Sequence, residues 1–128
     1  MTTKLDEKQC ELVHQYVGML DTIEEALNYV EESFTDLSKT EGDRVLSEVF
    51  MAIGQISESN PLLKEVFVGE GIQKALNAFD TVTDQAWKLD GQLDNNAFKQ
   101  SVVQENLSPA FSTWKTTIET ELNPYLTH

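Results

Sequence analysis

The sequence predicts an all-α fold: an up-and-down antiparallel four-helix bundle, its second arm broken near Pro61 and its last helix kinked or split near Pro109. Three observations lead there. Apolar residues recur at helical spacing in four long stretches, and nowhere do they alternate with polar residues over a strand's length. The junctions between stretches are short and rich in Pro, Gly and Asn, so neighbouring helices should run antiparallel. The 128 residues, 40% of them apolar, suffice for a single domain, residues 1–128, with its own core. Three helices with a frayed tail is the alternative architecture.

The first stretch carries the strongest periodicity. Val13, Tyr16, Leu20, Ile23, Leu27, Val30, Phe34 and Leu37 are spaced by alternating threes and fours, an a/d series over nearly four heptads. Leu12, Met19 and Ala26 widen the stripe at g, which suits a globular bundle better than a two-stranded seam. Asp6, with Gln9 three residues on, is the expected start, and the helix should span residues 6–38.

Thr40 and Asp43 bracket the second start as a T-x-x-D cap, and Val45, Leu46, Val49, Phe50, Ile53 and Ile56 follow. At Asn60-Pro61 the asparagine should cap and the proline take a first helical position. Leu62, Leu63, Val66 and Phe67 then form a short helix or a continuation. Gly69 and Gly71 separate these from a third helix holding Ile72, Ala75, Leu76, Phe79, Val82, Ala86 and Leu89. Gly91 sits where a C-terminal glycine belongs.

Asp94-Asn95-Asn96 is the expected turn and cap for the last helix. Its apolar positions are Phe98, Val102, Leu107, Phe111, Trp114, Ile118, Leu122 and Tyr125. The step from Val102 to Leu107 breaks phase just ahead of Ser108-Pro109. Proline removes a backbone bond inside a helix, so either the helix kinks there or Ser108 caps a fresh one.

Charge excludes several classes of function. Nine Lys and Arg stand against 22 Asp and Glu, for a net charge of −13. That argues against direct binding to nucleic acid or an anionic membrane, because phosphate contacts need Lys and Arg. The N-terminal segment has no apolar core of the signal-peptide kind. The longest apolar run, Val49 to Ile53, falls far short of the ~20 residues a membrane span needs. A cytoplasmic location is the expectation. The single cysteine, Cys10, cannot form an intramolecular disulfide and is expected as a half-buried thiol near a helix start.

Constellations for catalysis are absent from the sequence. Glu11-Leu12-Val13-His14 has the i, i+3 spacing that di-iron bundles use, but such sites need a second motif and further inward carboxylates. The other histidine is His128, and His14 falls at b, on the solvent side. Cys10 and His14 lie one turn apart without an orienting third group. Gly69-Glu70-Gly71 reads as a turn, not a phosphate cradle. No catalytic, cofactor-binding or metal-binding residue is therefore expected, and the chain reads as a non-enzyme.

The acidic face of the first helix is the most unusual feature. Residues 9–38 contain Glu11, Asp21, Glu24, Glu25, Glu31, Glu32 and Asp36, and no Lys or Arg. All these acids lie off the core stripe. Such a run is ordinarily a solvated face that favours solubility; its functional reading is a docking surface that steers a basic partner. Asp21, Glu24, Glu25, Glu31, Glu32 and Asp36 are the candidate partner-binding acids. Tyr29, at an exposed c position, and Trp87, at a stripe edge, are the candidate contact aromatics. The remaining aromatics are assigned to the core.

The register Tyr16-x-x-x-Leu20-x-x-Ile23, then Gly42-Asp43-Arg44-Val45-Leu46-Ser47, Ala52-Ile53-Gly54-Gln55-Ile56 and Asn60, resembles small acidic helical proteins of Bacillus-type bacteria that have no assigned function. The resemblance covers about the first half of the chain and implies a bundle in a bacterial cytoplasm. In size and helical layout, and loosely at Phe111-Ser112-Thr113-Trp114-Lys115, the chain is also similar to flagellar export chaperones, small bundles whose grooves hold an unfolded secretion partner. The expectation is a bundle that binds another protein, one with a basic surface, through the acidic helix or an interhelical groove. The alternatives are an export-chaperone-like binder of an amphipathic helix and an acidic DNA mimic. Pairing of the first helix with its own copy would give a homodimer.

Overall fold

The computed structural model describes residues 7–36 and 38–126, and these form four helical arms. The first arm is α1, Glu7–Ser33, and the second is α2, Gly42–Val66. The third is α3, Glu70–Asn77, followed by α4, Asp80–Trp87. The fourth runs through α5, Asn96–Val102, a π-helical turn, Val103–Leu107, and α6, Ser108–Leu126. No strand occurs among the described residues. The expected all-α helical bundle is what forms. The cross-links run antiparallel: Asp21 and Glu24 of α1 meet Lys115 of α6, while Glu31 lies across from Ser108.

The a/d series of α1 is the floor of the core. Val13, Tyr16, Leu20, Ile23, Leu27 and Val30 are all buried; Phe34 is half-buried, and Leu37 lies outside the described residues. Burial of one such side chain contributes about 1.5–3 kcal/mol. The like-charge pair Asp21–Glu25, one turn apart on the outer face, costs only about 0.2–0.5 kcal/mol, so packing decides the fold.

α1 ends at Ser33, short of the expected residue 38. The Asp36 carboxylate accepts from the Ser38 N–H at 3.0 Å and hydroxyl at 2.7 Å, a local turn that competes with another helical turn. The expected start at Asp6 lies outside the described residues. The T-x-x-D cap of α2 does not form: Glu41 precedes the helix without a side-chain cap, and Asp43 instead accepts from the Lys99 ammonium of α5. At this corner a Cβ on Gly42 would lie 2.9 Å from the Cβ of Ser33, so glycine permits the close approach of the two helices.

The second arm is not broken at Pro61. α2 continues to Val66, and Asn60 is not a cap but a buried mid-helix residue. Its Oδ1 accepts from the Tyr16 hydroxyl at 2.7 Å, which gives both buried polar groups a partner. Pro61 lacks the N–H that would bond the Ser57 carbonyl, and both residues are exposed, so the missing bond lies on the solvent side of the helix.

The third arm, read as one helix from the sequence, is interrupted at Ala78-Phe79. There the Phe79 N–H reaches back only three residues, to the Leu76 carbonyl at 3.3 Å. Gly91, expected as the C-terminal glycine of this helix, lies three residues past the Lys88 C-cap, where its φ of +74° turns the chain. Asn95 caps α5 by accepting from the Phe98 N–H at 3.1 Å.

The phase break in the fourth arm is a π-turn. The Ser108 N–H donates to the Val103 carbonyl, five residues back, and the helix continues through Pro109. The extra residue lets Val102 and Val103 both face the core. Upstream, Phe98 is 38% exposed and Lys99 is the buried residue, reversing the expected order. Lys99 is held by Asp43 and by the Leu93 carbonyl at 3.2 Å. Trp114 joins the arms: its indole N–H donates to the Ala75 carbonyl at 2.8 Å, and its ring lies 4.5 Å from Phe79 and 6.5 Å from Tyr16.

Candidate functional site

An apolar groove of about 380 Å³ lies between α2 and α4. Phe50, Ile53, Gly54 and Ser57, spaced by helical turns on α2, form one wall. Thr83, Ala86 and Trp87 of α4 form the other, and Leu89 and Leu93 close one end. Ile53 and Leu89 are buried at the base, while the Trp87 side chain stands 70% exposed on the rim. A Cβ on Gly54 would meet nothing within 4 Å. The glycine therefore serves no close contact within the chain, although it weakens a helix interior by about 1 kcal/mol relative to alanine. What it does is keep the wall low.

The charges around the groove are nearly all negative. Residues 45–63 of α2 contain no Lys or Arg, and Glu58 lies one turn beyond Gly54. On the other wall Asp80 and Asp84 share the outer side of α4 with Trp87, and Asp90 lines the groove itself. Lys88 is the one cation between residues 80 and 98.

The acidic face of α1 is partly engaged by the chain's own cations. Lys115, its side chain only 12% exposed, lies 3.1 Å from Asp21, 3.7 Å from Glu24 and 2.9 Å from Glu119. Burial works to lower its pKa, but hydrogen bonds to Glu119 and Asp21, with the Glu24 charge beyond, prevail and raise it above the ordinary lysine value. Glu32 pairs with Lys39 at 3.4 Å. Asp36 is held below the usual carboxylate range by the Ser38 hydroxyl and N–H. Glu25 is exposed.

Tyr29, expected in the open, is half-buried. Its hydroxyl accepts from the Glu41 N–H at 3.4 Å, and the Lys39 ammonium lies 5.3 Å from its ring, so it braces the α1–α2 corner. Glu24 and Glu31 both line a second hollow of about 390 Å³, of mixed polar and apolar lining, against Ser108 and Ser112. Of the sequence candidates, then, only Trp87 lines the apolar groove. Sequence reasoning missed Phe50, Gly54 and Leu93 as site residues. The available signal was Gly54, a glycine inside an apolar helical run.

Glu11 and His14 are both exposed, and among the described residues no three His, Cys, Asp or Glu side chains are placed to hold a metal ion. Cys10 is half-buried.

A family model, a domain of unknown function designated DUF8042, matches residues 11–117, from the first turns of α1 to the middle of α6. The chain belongs to the DUF8042 family. Both the groove and the acidic face lie inside the DUF8042 region. The DUF8042 chain is also similar to the uncharacterized protein YvzG of Bacillus subtilis (strain 168), with 32% identity over 71 residues. That match covers 56% of this chain and 57% of the relative, and it agrees with the resemblance to Bacillus-type proteins seen in the sequence. No solved structure matches the chain.

Proposed function

We propose that this DUF8042 protein is a non-enzymatic, cytoplasmic helical bundle that binds another protein by seating an apolar side chain in the α2–α4 groove. The observation that carries the reading is Trp87, a large aromatic left 70% exposed on the wall of an apolar groove. Exposed tryptophans beside desolvated pockets are the residues on which binding energy concentrates. The groove is preferred over the acidic face because Lys115 and Lys39 already sit against Asp21, Glu24 and Glu32.

The test is capture of partners from lysate by tagged wild-type protein and by Gly54→Leu. The leucine fills the groove from a site where a Cβ meets nothing, and it favours the helix. A partner retained by wild type and lost by Gly54→Leu supports the reading. A partner held equally by both rejects it. A second reading, docking on the acidic face, is favoured by the hollow between Glu24 and Glu31. It predicts that Glu25→Lys with Glu31→Lys releases the partner while Gly54→Leu does not.

A further inference from the structure

From the groove and the charges around it, we infer that the occupant is a basic amphipathic helix. One or two of its large apolar side chains lie against Trp87, and Lys or Arg on its flanks face the carboxylates beyond the two walls and at the end of the groove. This inference rests on the groove reading above and adds the chemistry of the partner.

Shape supplies the first part. The base of the groove is apolar, with Ile53 and Leu89 buried there, and Gly54 leaves its α2 wall low over the middle of the groove. The α2 residues along it, Phe50, Gly54 and Ser57, extend over two helical turns. An amphipathic helix presents anchors at the same i, i+4, i+7 repeat, so its apolar face can follow that wall.

Charge supplies the second part. Glu58 stands beyond the α2 wall, Asp80 and Asp84 beyond the α4 wall, and Asp90 at the end, against Lys88 alone. A ligand helix lying between these walls would place its flanking side chains beside carboxylates on both sides. Acidic flanks would be repelled, and neutral ones would leave the field unused. The same field disfavours a second copy of this chain as occupant, since its own Trp87 would bring Asp80 and Asp84 with it onto like charges.

The test uses the full-length protein and three synthetic amphipathic peptides of equal length. They share leucine positions and differ only at the polar positions: lysine, glutamine or glutamate. Binding is followed by the fluorescence of Trp87, whose exposed indole should shift to shorter wavelength when covered. Trp114, already buried, supplies a constant background.

The expected result is that the lysine peptide binds about tenfold more tightly than the glutamine peptide and the glutamate peptide does not bind. Affinity for the lysine peptide should fall about tenfold between about 50 and about 500 mM NaCl. Gly54→Leu should abolish the shift. Equal affinity for lysine and glutamine peptides, with loss in Gly54→Leu, overturns the basic-helix inference and leaves the groove reading standing. No shift with any peptide, or binding unaffected by Gly54→Leu, overturns both. Concentration-dependent dimerisation of the free protein that Gly54→Leu abolishes identifies a second copy as the occupant and also overturns the inference.

Discussion

Tyr16 and Asn60 show how single residues set this core. The buried Tyr16 hydroxyl donates to Asn60 at 2.7 Å, a side-chain hydrogen bond that ties α1 to α2 inside the core. Tyr16→Phe leaves the Asn60 amide buried and unpaired, and should cost about 1–3 kcal/mol in urea unfolding. Tyr16→Phe with Asn60→Leu should recover most of that, since removing both polar partners is nearly neutral. Burial also raises the Tyr16 pKa from its ordinary 10.0. A raised folded-state value means stability is complete below pH 10.0 and declines as pH rises toward the folded value. Lys115, raised from 10.5 despite its burial by the surrounding carboxylates, acts in the same direction. Alkaline unfolding should therefore begin above about pH 10, with a shallower pH slope in Tyr16→Phe than in wild type. A steep alkaline slope retained in that variant would assign the effect elsewhere. Glycines divide in the same way: Gly54→Ala should stabilise by about 1 kcal/mol through helix propensity. Gly42→Ala, whose Cβ would press on Ser33, should destabilise by about 1 kcal/mol in the same urea assay.

Among the elements, α2 carries the clearest consequence. Because it runs through Pro61 and the residue is exposed, Pro61→Ala should add about 1–3 kcal/mol by restoring an N–H to the carbonyl of Ser57. A loss of stability instead would mean that the proline's distortion is what aims Asn60 at Tyr16. The sequence misleads at this arm for a physical reason. Local propensity favours ending a helix at Asn-Pro, whereas a buried tyrosine hydroxyl on another arm needs Asn60 to stay helical, and nothing in the local sequence encodes that need. The a/d series of α1 was legible because one helix pressed on one core obeys a single period. The Val102–Leu107 step was legible as a defect, since an added residue shifts phase, but its form as a π-turn was not. Lys99 and Phe98 exchanged roles because Asp43, 56 positions away, supplies a charge that buries the lysine. The groove was hidden for a similar reason: its walls come from residues about 30 positions apart on two different arms. Two residues hinted at it: Trp87, at the edge of a stripe, and Gly54, a glycine inside an apolar helical run.

For the molecule as a whole, the net charge of −13 sets a balance between long-range repulsion and local pairing. Lys115, Lys99, Lys39 and Arg44 each sit against one or more carboxylates, and Lys115 and Lys99 do so with their side chains largely covered. Covered pairs are weakly screened, whereas the open acids of the α1 face and the groove walls repel through solvent. At about 10 mM salt the Debye length is ~30 Å, so acids on α1 repel one another along most of that helix. At about 0.5 M it falls to roughly 4 Å, and the repulsion is confined to nearest neighbours. The folded state holds these acids closer together than the unfolded chain does, so added salt should stabilise it. Thermal unfolding followed by circular dichroism should show a midpoint about 3–6 °C higher in 0.5 M than in 10 mM NaCl, equivalent to about 1 kcal/mol. Glu25→Lys places a cation on the exposed α1 face, and should raise the low-salt midpoint and flatten the salt dependence. A midpoint that falls with salt would show that attraction within the ion pairs outweighs repulsion among the acids, and Lys115→Met should then account for most of the loss.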